Sequence, residues 1–199
     1  MNRRPLEEIS AVVIGTSAGG VEALGVLLPA LPPRCRASVL VVVHMPRQRP
    51  SLLKDLFTNR CALLVREAQD KQPVEPGTVY FAPPDYHLMV DTNEDGNPSF
   101  ALSVDEPVHF SRPSIDVLFE SAAECWGDRL MAVILTGANS DGVQGLSAVS
   151  RCGGTTVVQD PGEAVADTLP AGAVRTGLAQ HILPLAGISK MLARLGQAS

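Results

Sequence analysis

The sequence predicts an α/β fold: a doubly wound, mostly parallel sheet flanked by helices on both faces. Strand-like apolar runs at 9–14, 39–43, 78–82, 130–135 and 155–158 alternate with helical stretches near 19–29, 50–60, 113–125, 142–151 and 187–195, the pattern of right-handed βαβ units. The apolar residues are largely Val, Leu, Ala and Ile, with only 4% aromatics, as in a sheet covered on both faces.

In chain order, the run at 9–14 leads into a glycine-rich turn and a helix stopped by Pro29, Pro32 and Pro33, residues that cannot continue it. The second run, 39–43, ends at His44, and a helix is expected over 50–60. Pro73, Pro76, Pro83 and Pro84 mark loops around the strand at 78–82. Two short runs, 87–91 and 100–104, then flank Asn93-Glu94-Asp95-Gly96-Asn97. Its Asp-Gly is a hairpin signal, so an antiparallel β-hairpin near residues 87–104 is expected, at the edge of the sheet. Helix, strand and helix alternate again from 113 to 195. With no repeat or low-complexity linker, residues 1–199 are read as a single domain, long enough to bury about 70% of its unfolded surface.

Composition excludes several function classes. The formal charge is −5, and Arg3, Arg4, Arg47, Arg49, Arg151 and Arg175 are scattered, leaving no stripe to track phosphates and no expected nucleic-acid partner. The start Met1-Asn2-Arg3-Arg4-Pro5 is basic, but Glu7 and Glu8 follow and Gly15 interrupts the first apolar run. That run is too short for a signal-peptide core or a membrane span, so a cytoplasmic protein without membrane insertion is expected. Cys35, Cys61, Cys125 and Cys152 lie far apart, with no Cys-x-x-Cys and no His at ligand spacing; four reduced thiols are expected rather than a zinc site or redox pair.

Three polar insertions after apolar runs point to chemistry. Gly15-Thr16-Ser17-Ala18-Gly19 satisfies Gly-x-Ser-x-Gly between a strand and a helix, a turn that presents a hydroxyl and backbone N–H groups at a helix N-terminus. The same glycine-rich turn also opens nucleotide sites. A dinucleotide fingerprint, however, needs a glycine where Ser17 stands and an acid closing the second strand. That strand ends instead in His44-Met45-Pro46, and no Gly-Lys-Ser/Thr is present.

A serine hydroxyl needs an imidazole to take its proton and a carboxylate to orient that imidazole. Adjacent first and second strands bring Ser17 and His44 within reach; a histidine merely closing a strand is the alternative. The run 131–135 leads into Thr136-Gly137-Ala138-Asn139-Ser140-Asp141-Gly142, making Asp141 the preferred acid over Asp116, Asp160 and Asp167. Asp141 before Gly142 also reads as an N-cap of the following helix, and one residue can hold both roles.

The order serine, histidine, aspartate differs from that of the α/β-hydrolases. From about Ile9 to Leu195 the sequence resembles the catalytic domain of the CheB-type chemotaxis protein-glutamate methylesterases. The matching segments are Ile14-Gly15-Thr16-Ser17-Ala18-Gly19-Gly20, His44-Met45-Pro46, Val79-Tyr80-Phe81-Ala82-Pro83-Pro84-Asp85-Tyr86-His87, Arg112-Pro113-Ser114-Ile115-Asp116-Val117-Leu118-Phe119, and Ile134 through Gly142.

The resemblance implies Ser17 as nucleophile, His44 as base and Asp141 as orienting acid. It also implies hydrolysis of glutamyl methyl esters on methyl-accepting chemotaxis receptors, releasing methanol, with deamidation of receptor glutamines as a second activity and no metal or organic cofactor. Backbone N–H groups near Ala18 and Gly19 and in the Ala138 loop are expected to hold the oxyanion.

The chain departs from the family in carrying Ala18 where many members have Thr, Ala138-Asn139 where they have Met-Gly, and Leu169-Pro170 for a common Met-Pro. Arg112 and Ser114 are candidate substrate contacts, with Pro113 at a helix start and Ser114 in its first turn as the structural alternative. His87, His109 and His181 have no partner legible in the sequence, and Tyr80 and Phe81 are expected in the core. The family's receiver domain is not among these residues, so constitutive activity or a separate regulatory protein is expected. A small-molecule carboxylesterase, a catalytically silent receptor-binding module and a nucleotide-binding oxidoreductase or transferase are the competing readings.

Overall fold

A computed structural model describes residues 5–45 and 51–196. Arg3, Arg4, Pro46, Arg47 and Arg49, and the first residue of the 50–60 stretch, lie outside the described residues.

The strands are β1 (Ala11–Thr16), β2 (Ser38–Val43), β3 (Leu64–Glu67), β4 (Thr78–Phe81), β5 (His87–Thr92), β6 (Pro98–Ser103), β7 (Leu130–Ile134), β8 (Thr155–Gln159) and β9 (His181–Leu183). The helices are α1 (Gly20–Leu27), α2 (Leu53–Thr58), α3 (Ile115–Trp126), α4 (Val143–Arg151), α5 (Thr168–Arg175) and α6 (Leu185–Leu192). Seven strands form one sheet in the order β3-β4-β2-β1-β7-β8-β9, with every neighbouring pair parallel. The chain leaves β1 toward β2 and later crosses to β7 on the opposite side, so β1 marks the point where the winding reverses and a crevice opens beyond the strand ends.

Side chains alternate between two cores. Val12, Ile14, Val39, Val41 and Val133 face α1, α2 and α6, meeting Leu24, Leu27, Phe57, Ile188 and Leu192. Ala11, Val13, Leu40, Val42 and Ala132 face the other way, onto Ile115, Leu118 and Phe119 of α3, Leu146 and Val149 of α4, and Leu169 and Ala173 of α5. Burial of every residue in β1 and β2 explains why those strands read as unbroken apolar runs.

The hairpin forms where expected but not at the sheet's edge: β5 and β6 make a separate two-stranded antiparallel sheet. The edges of the large sheet are β3 and β9. Leu88, Val90 and Phe100 instead pack into the core beneath α3, with the Val90 N–H donating to Ser121 Oγ at 3.1 Å. In its turn, Asn93 Oδ1 accepts from the N–H groups of Asp95 and Asn97. Tyr80 and Phe81 are core residues, as expected, and all four cysteines are free. No helix among the described residues is long and apolar enough to cross a membrane.

Three elements were not legible in the sequence. β3 and β9 are edge strands of four and three residues, short and partly polar as edges commonly are. α5 contains Pro170 and Gly172, which mimic loop punctuation, yet Pro170 stands in the first turn, where no intrahelical N–H bond is due.

Gly15 is the last but one residue of β1, not part of the turn, and its role is close approach: a Cβ there would overlap Ile115 Cγ2. Gly15→Ala is therefore expected to destabilise the protein by about 1–3 kcal/mol through overpacking, measured by urea denaturation. Gly25→Ala, in α1 with nothing within 4 Å, is the control and should stabilise by up to about 1 kcal/mol.

Candidate active site

Register sets the site. Thr16 pairs with Val43 across β1 and β2, and Gly15 with Ile134 across β1 and β7, so Ser17 and His44 leave neighbouring strands at the same level, with the 136–141 loop beside them. The His44 N–H donates to Thr16 O at 3.1 Å and the Ser17 N–H to Thr136 O at 3.0 Å. Ser17 thus sits on a turn between β1 and α1 closed by Gly19, whose φ of 79° places it in the left-handed region that glycine tolerates best. A Cβ on Gly19 would meet Val165, and one on Gly137 would lie 3.1 Å from Ser17 Cβ; both glycines are thin spots around the serine.

Thr136 ties three strand ends together. Its Oγ1 donates to Ala18 O at 2.8 Å and accepts from the Ala166 N–H at 2.9 Å. Its N–H donates to Gln159 Oε1 at 2.9 Å, and its carbonyl accepts from Thr16 Oγ1 at 2.8 Å.

The structure brings His44 and Asp141 into contact: His44 Nε2 lies 2.7 Å from Asp141 Oδ2, with side chains 11% and 0% exposed. A carboxylate buried this fully needs donors on all sides, and α3 provides them. Asp141 Oδ2 also accepts from the Ile115 N–H at 2.7 Å, while Oδ1 accepts from Ser114 Oγ at 2.7 Å and the Asp116 N–H at 3.1 Å. Burial pushes the Asp141 carboxyl up, but the hydrogen bonds from His44, Ile115 and Ser114 and the charge of His44 outweigh it and hold it below the ordinary range.

Asp141 is therefore a capping residue, but not of the helix that follows it. It closes the N-terminus of α3, while the cap of α4 is Gly142 with φ 112°. The N–H groups of Gly142 and Gly145 are taken instead by Asp116 Oδ1, at 2.9 and 2.7 Å. Each acid caps the other's helix, because α3 and α4 start side by side. Asp116 Oδ2 is buried without a hydrogen-bond partner among the described residues and faces His109 Nε2 at 3.5 Å. Burial pushes the Asp116 carboxyl up to about 6, helped by the nearby Asp141 charge and opposed by the α4 N–H groups and His109.

Ser114 is the N-cap of α3, accepting from the Val117 N–H at 3.4 Å, and Pro113 precedes the helix rather than starting it. Arg112 lines a cavity of about 140 Å³ with His44, Met45, Phe110, Ser111 and Pro113. Its guanidinium already makes four hydrogen bonds, two to Asp85 Oδ1 and one each to the carbonyls of Val104 and Asp105, so it chiefly braces the loop over the site.

His87, without a legible partner in the sequence, lies under α3: its Nδ1 accepts from the Ser114 N–H and its Nε2 meets Glu106 O, both at 3.2 Å. The N–H groups of Ala18, Gly19 and Ala138 have no partner among the described residues, and Ala18 and Ala138 are exposed beside the serine. Sequence reasoning named Asn139 only as a departure; its side chain lies against His44. The arrangement is a hydroxyl, an imidazole, a carboxylate held ionised, and free N–H donors at one rim, the parts needed for acyl transfer.

Asp141→Asn keeps the shape but places an NH2 among donors. It should lower turnover by about 10⁴-fold, as when an orienting acid is lost from such a triad, and lower the urea midpoint, whereas His44→Ala should lose turnover with a smaller stability loss.

The two acids also give opposite pH slopes. With its carboxyl raised, Asp116 favours the protonated folded state, so its contribution to stability falls as pH rises from 3.8 to about 6. Asp141, lowered, contributes above its unfolded value and loses that contribution as pH falls through its folded one. Urea denaturation at pH 4 and pH 6.5 should show Asp116→Asn gaining stability relative to the parent at the higher pH.

Comparison with known proteins agrees with this architecture. The family model described as CheB methylesterase matches residues 12–192. A protein of Leptospira interrogans is 41% identical over 187 residues, covering 94% of this chain and 95% of that protein. The Caulobacter vibrioides protein-glutamate methylesterase/protein-glutamine glutaminase 2 is 37% identical over 95% of this chain, which spans 54% of that longer relative. The crystal structure of the Thermotoga maritima CheB methylesterase catalytic domain superposes with a TM-score of 0.89 at 35% identity, covering 94% of this chain and 98% of that one.

Proposed function

This chain belongs to the CheB methylesterase family, and we propose that it hydrolyses methyl esters of glutamate side chains on methyl-accepting chemotaxis receptors, with Ser17, His44 and Asp141 as its triad. The observation that carries the reading is the 2.7 Å contact between His44 Nε2 and the buried Asp141 carboxylate, made beside the strand end that carries Ser17. Relatives named protein-glutamate methylesterase/protein-glutamine glutaminase support both activities, esterase and glutaminase.

With Nε2 facing Asp141, the proton of Ser17 Oγ passes to Nδ1 of His44 as the oxygen attacks the ester carbonyl. The resulting oxyanion is held by the Ala18, Gly19 and Ala138 N–H groups, donors that the local Ala-for-Thr and Ala-for-Met differences leave intact because they belong to the main chain. Collapse of the tetrahedral intermediate breaks the C–O bond, and methanol leaves with the proton from Nδ1. Water, deprotonated by the same nitrogen, then cleaves the acyl-serine and restores the receptor carboxylate. A receptor glutamine enters the same cycle with ammonia as the leaving group. Asp141 stays ionised throughout, consistent with its lowered carboxyl.

The reading includes a single domain acting in the cytoplasm, where receptor signalling helices are reached, with no cofactor. A separate regulatory protein is the remaining partner it proposes.

Methanol release from methylated receptor membranes tests the proposal. The parent should release methanol and Ser17→Ala should fall by about 10⁴-fold with an unchanged urea midpoint. Full turnover in Ser17→Ala would overturn the nucleophile, and turnover confined to simple soluble esters would overturn the receptor substrate.

A further inference from the structure

The side chain of Asn139 makes three contacts at the catalytic histidine. Its Oδ1 accepts from the Asp141 N–H at 3.3 Å, and its Nδ2 lies 3.2 Å from Ser111 Oγ and 3.3 Å from His44 Nδ1. The amide orientation is fixed by its neighbours. A flipped amide would turn its NH2 onto the Asp141 N–H, donor against donor. It would also demand a proton on His44 Nδ1, leaving a neutral ring to present a bare Nε2 lone pair to the Asp141 carboxylate. Nε2 therefore carries the proton shared with Asp141, and Nδ1 carries the lone pair.

A ring nitrogen has one in-plane lone pair and accepts one good hydrogen bond. It is also the lone pair that must receive the proton of Ser17, since Nε2 is committed to Asp141. No hydrogen bond joins Ser17 Oγ to His44 among the described residues.

We propose that Asn139 is a latch on the base: its amide occupies His44 Nδ1 in the resting enzyme and must let go before Ser17 can transfer its proton. Once Nδ1 is protonated, the Asn139 NH2 opposes it as donor against donor, so the latch and the imidazolium exclude each other. Ser111, on the loop before α3, holds the second amide hydrogen and so keeps the latch closed. Asn139 is thus a positioning residue, acting on substrate only through His44, and the proposal rests on the triad reading above.

The test uses a fluorophosphonate, which labels an activated serine without needing the receptor. Asn139→Ala and Asn139→Gly should label about two- to tenfold faster than the parent, the range of one neutral hydrogen bond released. Ser111→Ala, which leaves the Asp141 N–H capped, should give a smaller increase and serves if the Asn139 variants fold poorly. The ¹⁵N resonance of His44 Nδ1 should move toward that of an unbonded lone pair in Asn139→Ala, a change that loop loosening alone does not produce. Slower or unchanged labelling, or an unmoved Nδ1 resonance, would overturn the latch. Ser17→Ala is the parallel control: labelling that survives it overturns the triad reading, whereas labelling that it abolishes while Asn139→Ala fails to accelerate overturns the latch alone.

Discussion

The site depends on one buried negative charge. Asp141 is fully enclosed, and a lone carboxylate in that position would be strongly unfavourable. It is tolerated because the first N–H groups of α3, the Ser114 hydroxyl and His44 surround it with donors, and because the positive end of the α3 dipole points at it. The arrangement works in both directions, since α3 needs acceptors for N–H groups that have no intrahelical partner. The carboxylate that meets the His44 imidazole is also the group that closes a core helix, and Asp116 repeats the arrangement at the start of α4.

The central strands, and the placing of Ser17, His44 and Asp141 beyond the ends of β1, β2 and β7, were legible because the physics behind them is local. Runs apolar at every position mark strands covered on both sides, and a polar residue at the end of such a run has nowhere to go but the crevice. What stayed hidden depends on contacts between distant segments. The sequence suggests that Asp141 caps the helix next to it; only the side-by-side start of α3 and α4 shows that the caps are exchanged. β3 and β9 were missed because edge strands are short and half polar, and α5 because Pro170 and Gly172 resemble a loop. The hairpin was legible from its Asp-Gly turn, but its placement under α3 follows from Leu88, Val90 and Phe100 joining the core there.

Small residues shape the rim as much as reactive ones. Gly15 lets Ile115 lie against β1, Gly137 lets the β7 loop lie against Ser17, and Gly19 lets Val165 approach the turn. With alanine at positions 18 and 138, the proposed oxyanion donors are main-chain groups whose direction is set by Thr136 and its ties to Ala18, Ala166 and Gln159. Arg112, bound to Asp85 and two carbonyls, stiffens the opposite wall.

The parts of this centre are widely separated along the polypeptide: the serine follows β1, and Asp141 follows β7, which comes after the hairpin and α3 in the chain. During synthesis, the first hundred residues would already contain hydroxyl and imidazole yet lack the group that aligns them. The pair of His44 and Asp141 thus forms only once most of the polypeptide has been made, and partly built intermediates lack it.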